Sequence, residues 1–388
     1  MPVKNRLAEL QDEIAEWRRD IHEHPELMYD LPRTSALVAA KLREFGCDEV
    51  VEGIGRTGVV GVIRGRTDSR GRAIGLRADM DALPIVEATG LDYASKHPGK
   101  MHACGHDGHT AMLLGAAKYL AETRSFDGTA VVIFQPAEEG GAGGRAMVED
   151  GLMERFGIEE VYGMHNMPGL PVGDFAIRTG PIMAATDDFE ITVTGKGGHA
   201  AKPHDCIDTT LVASHIVVAL QAIAARSIDP LKQVVVSVCT FHTDNEASNV
   251  IPQVVRLKGT VRSLEEGVRT LAETRLKEIV AHTARAYGAQ AEIDYRRGYP
   301  VTENAPDQTL FAAEVAEAVS GKVRLDTPPM MGGEDFSYML NARPGAYIFV
   351  GNGDTAMVHH PEYNFSDEAI PFGCSWFAGI VEARMPTA

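Results

Sequence analysis

One stretch of this sequence constrains its fold more than any other. Over residues 57–165, short and almost uniformly apolar runs alternate with helical patterns. VVGVI (59–63), AIGLRADMD (73–81), TAVVIFQ (129–135) and VYGMH (161–165) read as strands, while HTAMLLGAAKYLAE (109–122) and RAMVEDGLM (145–153) read as helices. Strands apolar on both faces and separated by helices belong to a largely parallel sheet covered on both sides. Ahead of this stretch, Leu7, Leu10, Ile14, Trp17 and Ile21 form a single apolar helical stripe, which Pro25 is expected to stop.

After Gly180-Pro181 the texture changes. Phe189, Ile191 and Val193 alternate with polar residues, so this strand has one wet face. A helix (208–225), two strands (234–242 and 253–263), a polar helix (264–287) and a strand (291–295) follow. The order β-α-β-β-α-β is that of a ferredoxin-like unit. The α/β texture then returns with a helix near 307–319, a strand at 346–350 and a closing helix near 368–384. We therefore expect an α/β catalytic domain built from 1–182 and 297–388, with an α+β domain inserted over 183–296. A length of 388 residues fits two domains better than one core.

Thirty-seven basic residues against 54 acidic ones leave a net charge of −17, which repels phosphate backbones and anionic lipid alike. Nucleic acid and membrane are poor partners for such a surface. The start of the chain lacks the apolar core of a signal peptide, and the five cysteines include no CxxC pair and suggest no disulfide framework. These features lead us to expect a cytoplasmic location with reduced thiols.

Ligands gather outside the carboxyl ends of strands in an open parallel sheet. There the sequence offers Asp79 and Asp81 after one strand, and Glu138 and Glu139 after another. His165 ends a third, His359 and His360 follow a fourth, and MHACGHDGHT (101–110) precedes a helix. A lone histidine at a strand end is usually structural, and a lone cysteine is usually a small buried hydrophobe. The convergence of Asp, Cys, His and Glu on one rim is what points to a transition metal such as zinc. Cys47, Cys206, Cys239, Cys374, His97, His215 and His282 keep a structural reading. Neighbours in an extended segment point oppositely, so Glu138 and Glu139 divide two tasks: one binds metal, the other handles a proton for water attacking a carbonyl.

GAGGRA (141–146) superficially resembles a dinucleotide fingerprint, and a nucleotide-dependent oxidoreductase is the weakest alternative. Two carboxylates stand where the pyrophosphate would sit, so the glycines are better read as allowing close backbone packing. A non-catalytic metal- or acyl-amino-acid-binding protein is the other alternative, and it would not need Glu138. In the inserted domain His199 lies in a Gly-flanked loop, and Asn249 and Arg262 offer an amide and a cation for an anionic substrate.

RRDIHEHPEL, LRADMDALPI, HACGHDGHT, QPAEEGGAGGRAM, GMHNMP, GKGGHAAKPH, NVIP, MGGEDFSYM and VHHPEYNF occur in that order. In these motifs the chain resembles the hippurate hydrolase, auxin-conjugate hydrolase and N-acyl-amino-acid amidohydrolase branch of the metal-dependent aminoacylase/carboxypeptidase superfamily. The resemblance implies two divalent metal ions per subunit held by Cys104, His106, Glu139, His165 and His359, zinc first, with manganese, cobalt or nickel as alternatives. It implies Glu138 as general base, Asp81 as the carboxylate orienting a metal ligand, and His199 as an oxyanion donor acting within its own subunit or on a neighbour's. Asn249 and Arg262 match substrate-contacting positions. The implied substrate is a small N-acyl amino acid, and the inserted domain would be a lid that mediates a homodimer or homotetramer.

Overall fold

The computed structural model describes residues 3–387. Residues 1, 2 and 388 of the expected catalytic domain lie outside the described residues. The apolar N-terminal stripe is carried by two helices, Asn5–Glu9 and α1 (Gln11–Glu23), and every residue of the stripe is buried. A helix the periodicity did not reveal, α2 (Pro32–Glu44), leads into the hairpin β1 (Glu49–Ile54) and β2 (Gly58–Arg64). Then come β3 (Ala73–Asp79), α3 (His106–Thr123), β4 (Thr129–Gln135), α4 (Gly143–Glu149), β5 (Ile158–Met167) and β6 (Phe175–Ala176).

Next come β7 (Ala185–Thr194), α5 (Thr209–Leu220), β8 (Val234–Thr243), β9 (Val254–Ser263), α6 (Glu266–Ala286) and β10 (Gln290–Arg297). The chain ends with α7 (Pro306–Ser320), β11 (Val323–Arg324), β12 (Gly345–Gly351) and α8 (Ile370–Arg384).

The chain divides into two compact units. The first runs to Ile182 and resumes over Glu303–Pro328 and from Asp335; the second takes Met183–Thr302 and Pro329–Glu334. The first unit holds a sheet of order β1-β2-β4-β3-β5-β12-β6-β11. Its centre, β4-β3-β5-β12, is parallel. β2 pairs antiparallel with β1 across a tight hairpin with no room for a crossover helix, and antiparallel with β4 on its other side. All residues of β3 and β12 are buried, the mark of strands covered on both faces. α3 is buried continuously from His106 to Ala117 and packs between α1 and α8. Its middle, Ala111–Ala117, is apolar on all sides and belongs inside, whereas its first turn buries His106, Asp107 and His109.

The second unit has its own core under a four-stranded antiparallel sheet of order β8-β9-β7-β10, with α5 and α6 on one face. The chain stays with this unit past the boundary expected at 297, as far as Thr302, and there the Gly298 N–H reaches Asp187 Oδ1 at 3.1 Å and the Tyr299 N–H reaches Thr186 Oγ1 at 3.2 Å. Thr209–Ser227 is apolar and long enough to cross a membrane by length and composition alone, with mean hydropathy 1.4. Val212, Ala213, Ile216 and Leu220 of this segment are buried in the unit's core, whereas Leu211 and Val218 stand exposed.

Candidate metal centre

The parallel strands of the first unit deliver their carboxyl ends to one rim. β3 ends on Asp79, and two residues later Asp81 is almost fully buried. Its backbone carbonyl accepts His106 Nδ1–H at 2.8 Å. A carbonyl only accepts, so the proton sits on Nδ1 and the Nε2 lone pair is free. That Nε2 is buried and has no hydrogen-bond partner among the described residues.

The carboxylate of Asp81 does something else. Its two oxygens accept the backbone N–H of Glu138 at 2.8 Å and of Glu139 at 3.1 Å, while Oδ1 stays 3.7 Å from His106 Nδ1. Asp81 thus orients His106 through its main chain and the Glu pair through its side chain.

His165, at the end of β5, donates Nδ1–H to the Asn166 carbonyl at 2.7 Å, leaving Nε2 3.4 Å from Cys104 Sγ. His359 Nε2 lies 3.3 Å from Glu139 Oε1, an oxygen that is buried without a hydrogen-bond partner among the described residues. The donor atoms of Cys104, His106 and His165 lie within 4.8 Å of one another, as do those of Cys104, Glu139 and His359, and those of His106, Glu138 and Glu139. The first two triplets share Cys104. A fourth set, Asp79, His106 and His109, lies deeper.

The electrostatics suit a cation. Burial opposes charge on His106, but the Asp79 carboxylate and the Cys104 thiol outweigh it and pull its pKa up. Burial and the neighbouring imidazoles of His109 and His106 push His165 well down, keeping it a neutral donor. Burial also resists ionisation of Glu139, yet the nearby His359 imidazole and the charge of His106 hold its carboxyl below the usual range. Cys104 and Glu139 push the His359 pKa up to about 10. A thiol, three imidazoles and two carboxylates, with two donor atoms orphaned in a buried cleft, fit a divalent transition metal better than they fit one another.

Backbone strain is concentrated at the same place. Ala137 (φ 53°), Ala142 (φ 55°) and His359 (φ 67°) adopt left-handed conformations. Each costs on the order of 1–3 kcal/mol and persists only where its surroundings enforce it. The glycine run after the Glu pair serves packing: a Cβ on Gly143 would overlap the Pro136 carbonyl oxygen. The Gly144 N–H, which a dinucleotide loop would present to phosphate, instead meets Asp335 Oδ2 at 2.8 Å.

Of the residues singled out in the sequence, Asp81, Cys104, His106, Glu138, Glu139, His165 and His359 come together in the first unit. His199, Asn249 and Arg262 belong to the second unit. His199 pairs with Val250 in a two-residue ladder and is exposed, and the Asn249 carbonyl accepts the Ala200 N–H at 3.0 Å beside it. Arg262 lies on β9 between Thr186 and Val235 and is half-buried.

Several supporting residues were missed as such. Arg77 is fully buried and binds Asp79 Oδ2 at 2.6 Å, Gln135 Oε1 at 2.9 Å and Asp335 Oδ1 at 3.1 Å. A single arginine inside the apolar strand AIGLRAD was the available signal, since a buried guanidinium demands carboxylate partners.

The chain belongs to the peptidase family M20/M25/M40, whose profile matches residues 75–383. It is a hydrolase of that family. It is 42% identical over 377 residues to the hippurate hydrolase of Campylobacter jejuni, covering 96% of this chain and 97% of that protein. It is 45% identical over 354 residues to thermostable carboxypeptidase 1 of Saccharolobus solfataricus, covering 90% and 88%. It is 40% identical over 365 residues to the N-acetyl-L-cysteine deacetylase of Bacillus subtilis, covering 94% and 86%. Among solved structures, the Bacillus subtilis YXEP protein, described as a dinuclear metal binding peptidase, superposes with a TM-score of 0.84 at 34% identity, covering 97% of this chain and 99% of that one.

Proposed function

We propose that the protein hydrolyses the amide bond of N-acyl amino acids, releasing a carboxylic acid and the free amino acid. The convergence of Cys104, His106, Glu139, His165 and His359 beside a second carboxylate, Glu138, carries this reading. The hippurate hydrolase and the deacetylase support it, since each is named for an N-acyl amino acid.

The five ligands would hold two divalent ions, and Cys104 belongs to both ligand triplets. Thiolate and imidazole favour zinc; manganese, cobalt and nickel are the alternatives. Such ions supply Lewis acidity that polarises the amide carbonyl and lowers the pKa of water. Glu138, 7% exposed and held at its backbone by Asp81, takes a proton from the attacking water and returns it to the leaving nitrogen. The Asp335 N–H, 3.4 Å from Glu138 Oε1, keeps that carboxylate in place.

The second unit acts as a lid. His199 donates to the developing oxyanion, from its own subunit or a neighbour, and Asn249 and Arg262 hold the substrate's carboxylate. Exposed Leu211 and Val218 on α5 favour burial against a second copy, giving a homodimer, or a homotetramer built from it. All five cysteines are free thiols, and a thiolate ligand is best kept in a reducing cytoplasm. The partner is a small molecule, not nucleic acid or membrane, in keeping with the acidic surface.

The carboxypeptidase relative favours a second reading, in which the acyl group is a peptide. One experiment separates these. Elemental analysis of the pure protein is combined with a hydrolysis panel of hippurate, N-acetyl and long-chain acyl amino acids and dipeptides, run on the wild type and on Glu138→Ala. Release of amino acid by the wild type, lost in Glu138→Ala with metal retained, is expected. No release from any panel member with metal bound overturns the proposal.

A further inference from the structure

Behind the ligands, one residue ties together three ligand-bearing segments. Asn166 is 2% exposed and uses all four of its polar groups. Its carbonyl accepts His165 Nδ1–H at 2.7 Å, and its N–H donates to His109 Nε2 at 2.9 Å. Its side-chain Nδ2 donates to the Cys104 carbonyl at 2.7 Å, and its Oδ1 accepts the fully buried Tyr363 hydroxyl at 2.7 Å. Tyr363 lies in the loop that carries His359, whose own N–H reaches the Ala103 carbonyl at 2.7 Å. His109, which packs edge-on to His165 with centroids 4.5 Å apart, is itself fixed by donating Nδ1–H to Asp79 at 2.7 Å.

This junction also accounts for Gly105. The residue has φ 86°, and any Cβ there would collide with Asn166 Nδ2 and the Tyr363 hydroxyl. A side chain at position 105 would therefore force the Cys104 loop away from the strand that bears His165.

We infer that Asn166, together with Tyr363, is a positioning residue that sets the mutual placement of Cys104, His165 and the His359 loop, and through it the affinity for metal. The inference rests on the metal site proposed above. Partners that orient metal ligands typically change metal affinity by about 10- to 100-fold when lost, and a residue that orients three segments at once belongs at the upper end of that range.

The test uses full-length, metal-stripped protein titrated with Zn²⁺ in competition with a chromophoric chelator. Asn166→Asp keeps the size but turns the donor facing the Cys104 carbonyl into an acceptor. Tyr363→Phe removes one hydroxyl from the same junction. Thermal unfolding of the stripped proteins verifies that each variant folds; a purely structural role would lower that transition and leave the Zn²⁺ affinity of the folded protein alone. The expected result is Zn²⁺ affinity weakened by about 100-fold in Asn166→Asp and about 10-fold in Tyr363→Phe. Affinities within twofold of wild type in the folded variants overturn the inference. If Asn166→Asp does not fold, Tyr363→Phe decides by the same measure. Wild-type protein that takes up no divalent metal overturns the metal site itself, and this inference with it.

Discussion

The carboxylate of Asp81 accepts the backbone N–H of Glu138 at 2.8 Å, and its other oxygen holds the next amide, that of Glu139. One buried side chain thereby holds the backbone of two adjacent glutamates. Replacing it by alanine leaves two buried N–H groups unsatisfied, at about 1–3 kcal/mol each, and frees the segment that carries both carboxylates. Asp81→Ala is expected to lower kcat by about 100-fold or more, the usual effect of misplacing a reacting group by about 1 Å. Steady-state kinetics on metal-loaded protein checks this, and an unchanged kcat would remove Asp81 from the machinery.

His199 is exposed in its own unit, and its side chain makes only a local bond among the described residues, from the Ala201 N–H to its Nδ1 at 3.1 Å. Its loss should hardly touch stability. As an oxyanion donor it should nonetheless matter for turnover: His199→Ala is expected to lose about 100- to 1000-fold in kcat, with metal content at the wild-type value. Near-normal turnover would exclude the role.

Arg77 is enclosed by Asp79, Asp335 and Gln135. Arg77→Met would strand two buried carboxylates, and such a loss typically costs about 3–5 kcal/mol. Denaturant unfolding of the variant should show a midpoint well below that of the wild type, and a loss under about 1 kcal/mol would mean that the carboxylates find other partners.

Burial opposes protonation of His22, but Asp107 at 2.8 Å and Glu87 at 3.3 Å outweigh it and raise its pKa to about 9. The folded value lies above the unfolded one, so the stabilisation is fully present below about pH 6.5 and fades as pH rises through about 9. At 1.36 kcal/mol per unit this amounts to something on the order of 3 kcal/mol. The stability gap between wild type and His22→Gln should therefore be widest near pH 6 and narrow by pH 10. A gap that does not change with pH would show that His22 does not titrate in this range.

Removing metal should cost stability as well as activity, because ligands assembled in the fold bind ions that the unfolded chain holds poorly. At a free metal concentration of 100 times Kd, binding contributes about 2.7 kcal/mol. A strong chelator is expected to lower the thermal transition and abolish hydrolysis, with both restored by added divalent ion. A transition that does not move on chelation counts against the metal site.

Much of this was legible in the sequence. The buried strands betrayed themselves by unbroken apolar runs, and the chemistry by the Asp, Glu and His residues at the strand ends. β1 was not legible, because EVVEGI is an edge strand, mostly exposed, with no clean alternation. Nor was the antiparallel pairing of β2 with β4, because a strand buried on both faces carries no residue pattern that sets the direction of its neighbour. At the site, residue types marked a rim of candidate ligands, but Asp81 holds backbone amides, and Asn166 is tied to the Cys104 carbonyl and, through its own carbonyl, to His165. No side-chain pattern marks which amide or carbonyl the fold will bring within reach. MGGEDFSYM shows no task in the sequence alone; in the fold its Asp335 holds Arg77, Gln135 and the Gly144 N–H.

The first unit draws on both ends of the chain, and its candidate ligands are spread from Cys104 to His359. During synthesis His359 emerges long after Cys104, and α8, which packs on α3, comes later still. The segment 183–302 is contiguous and can collapse while translation continues, whereas the flanking halves must wait for each other. A site that needs all of these candidate ligands can therefore be completed only late in synthesis, and until then the nascent chain carries Cys104 as an unprotected thiol.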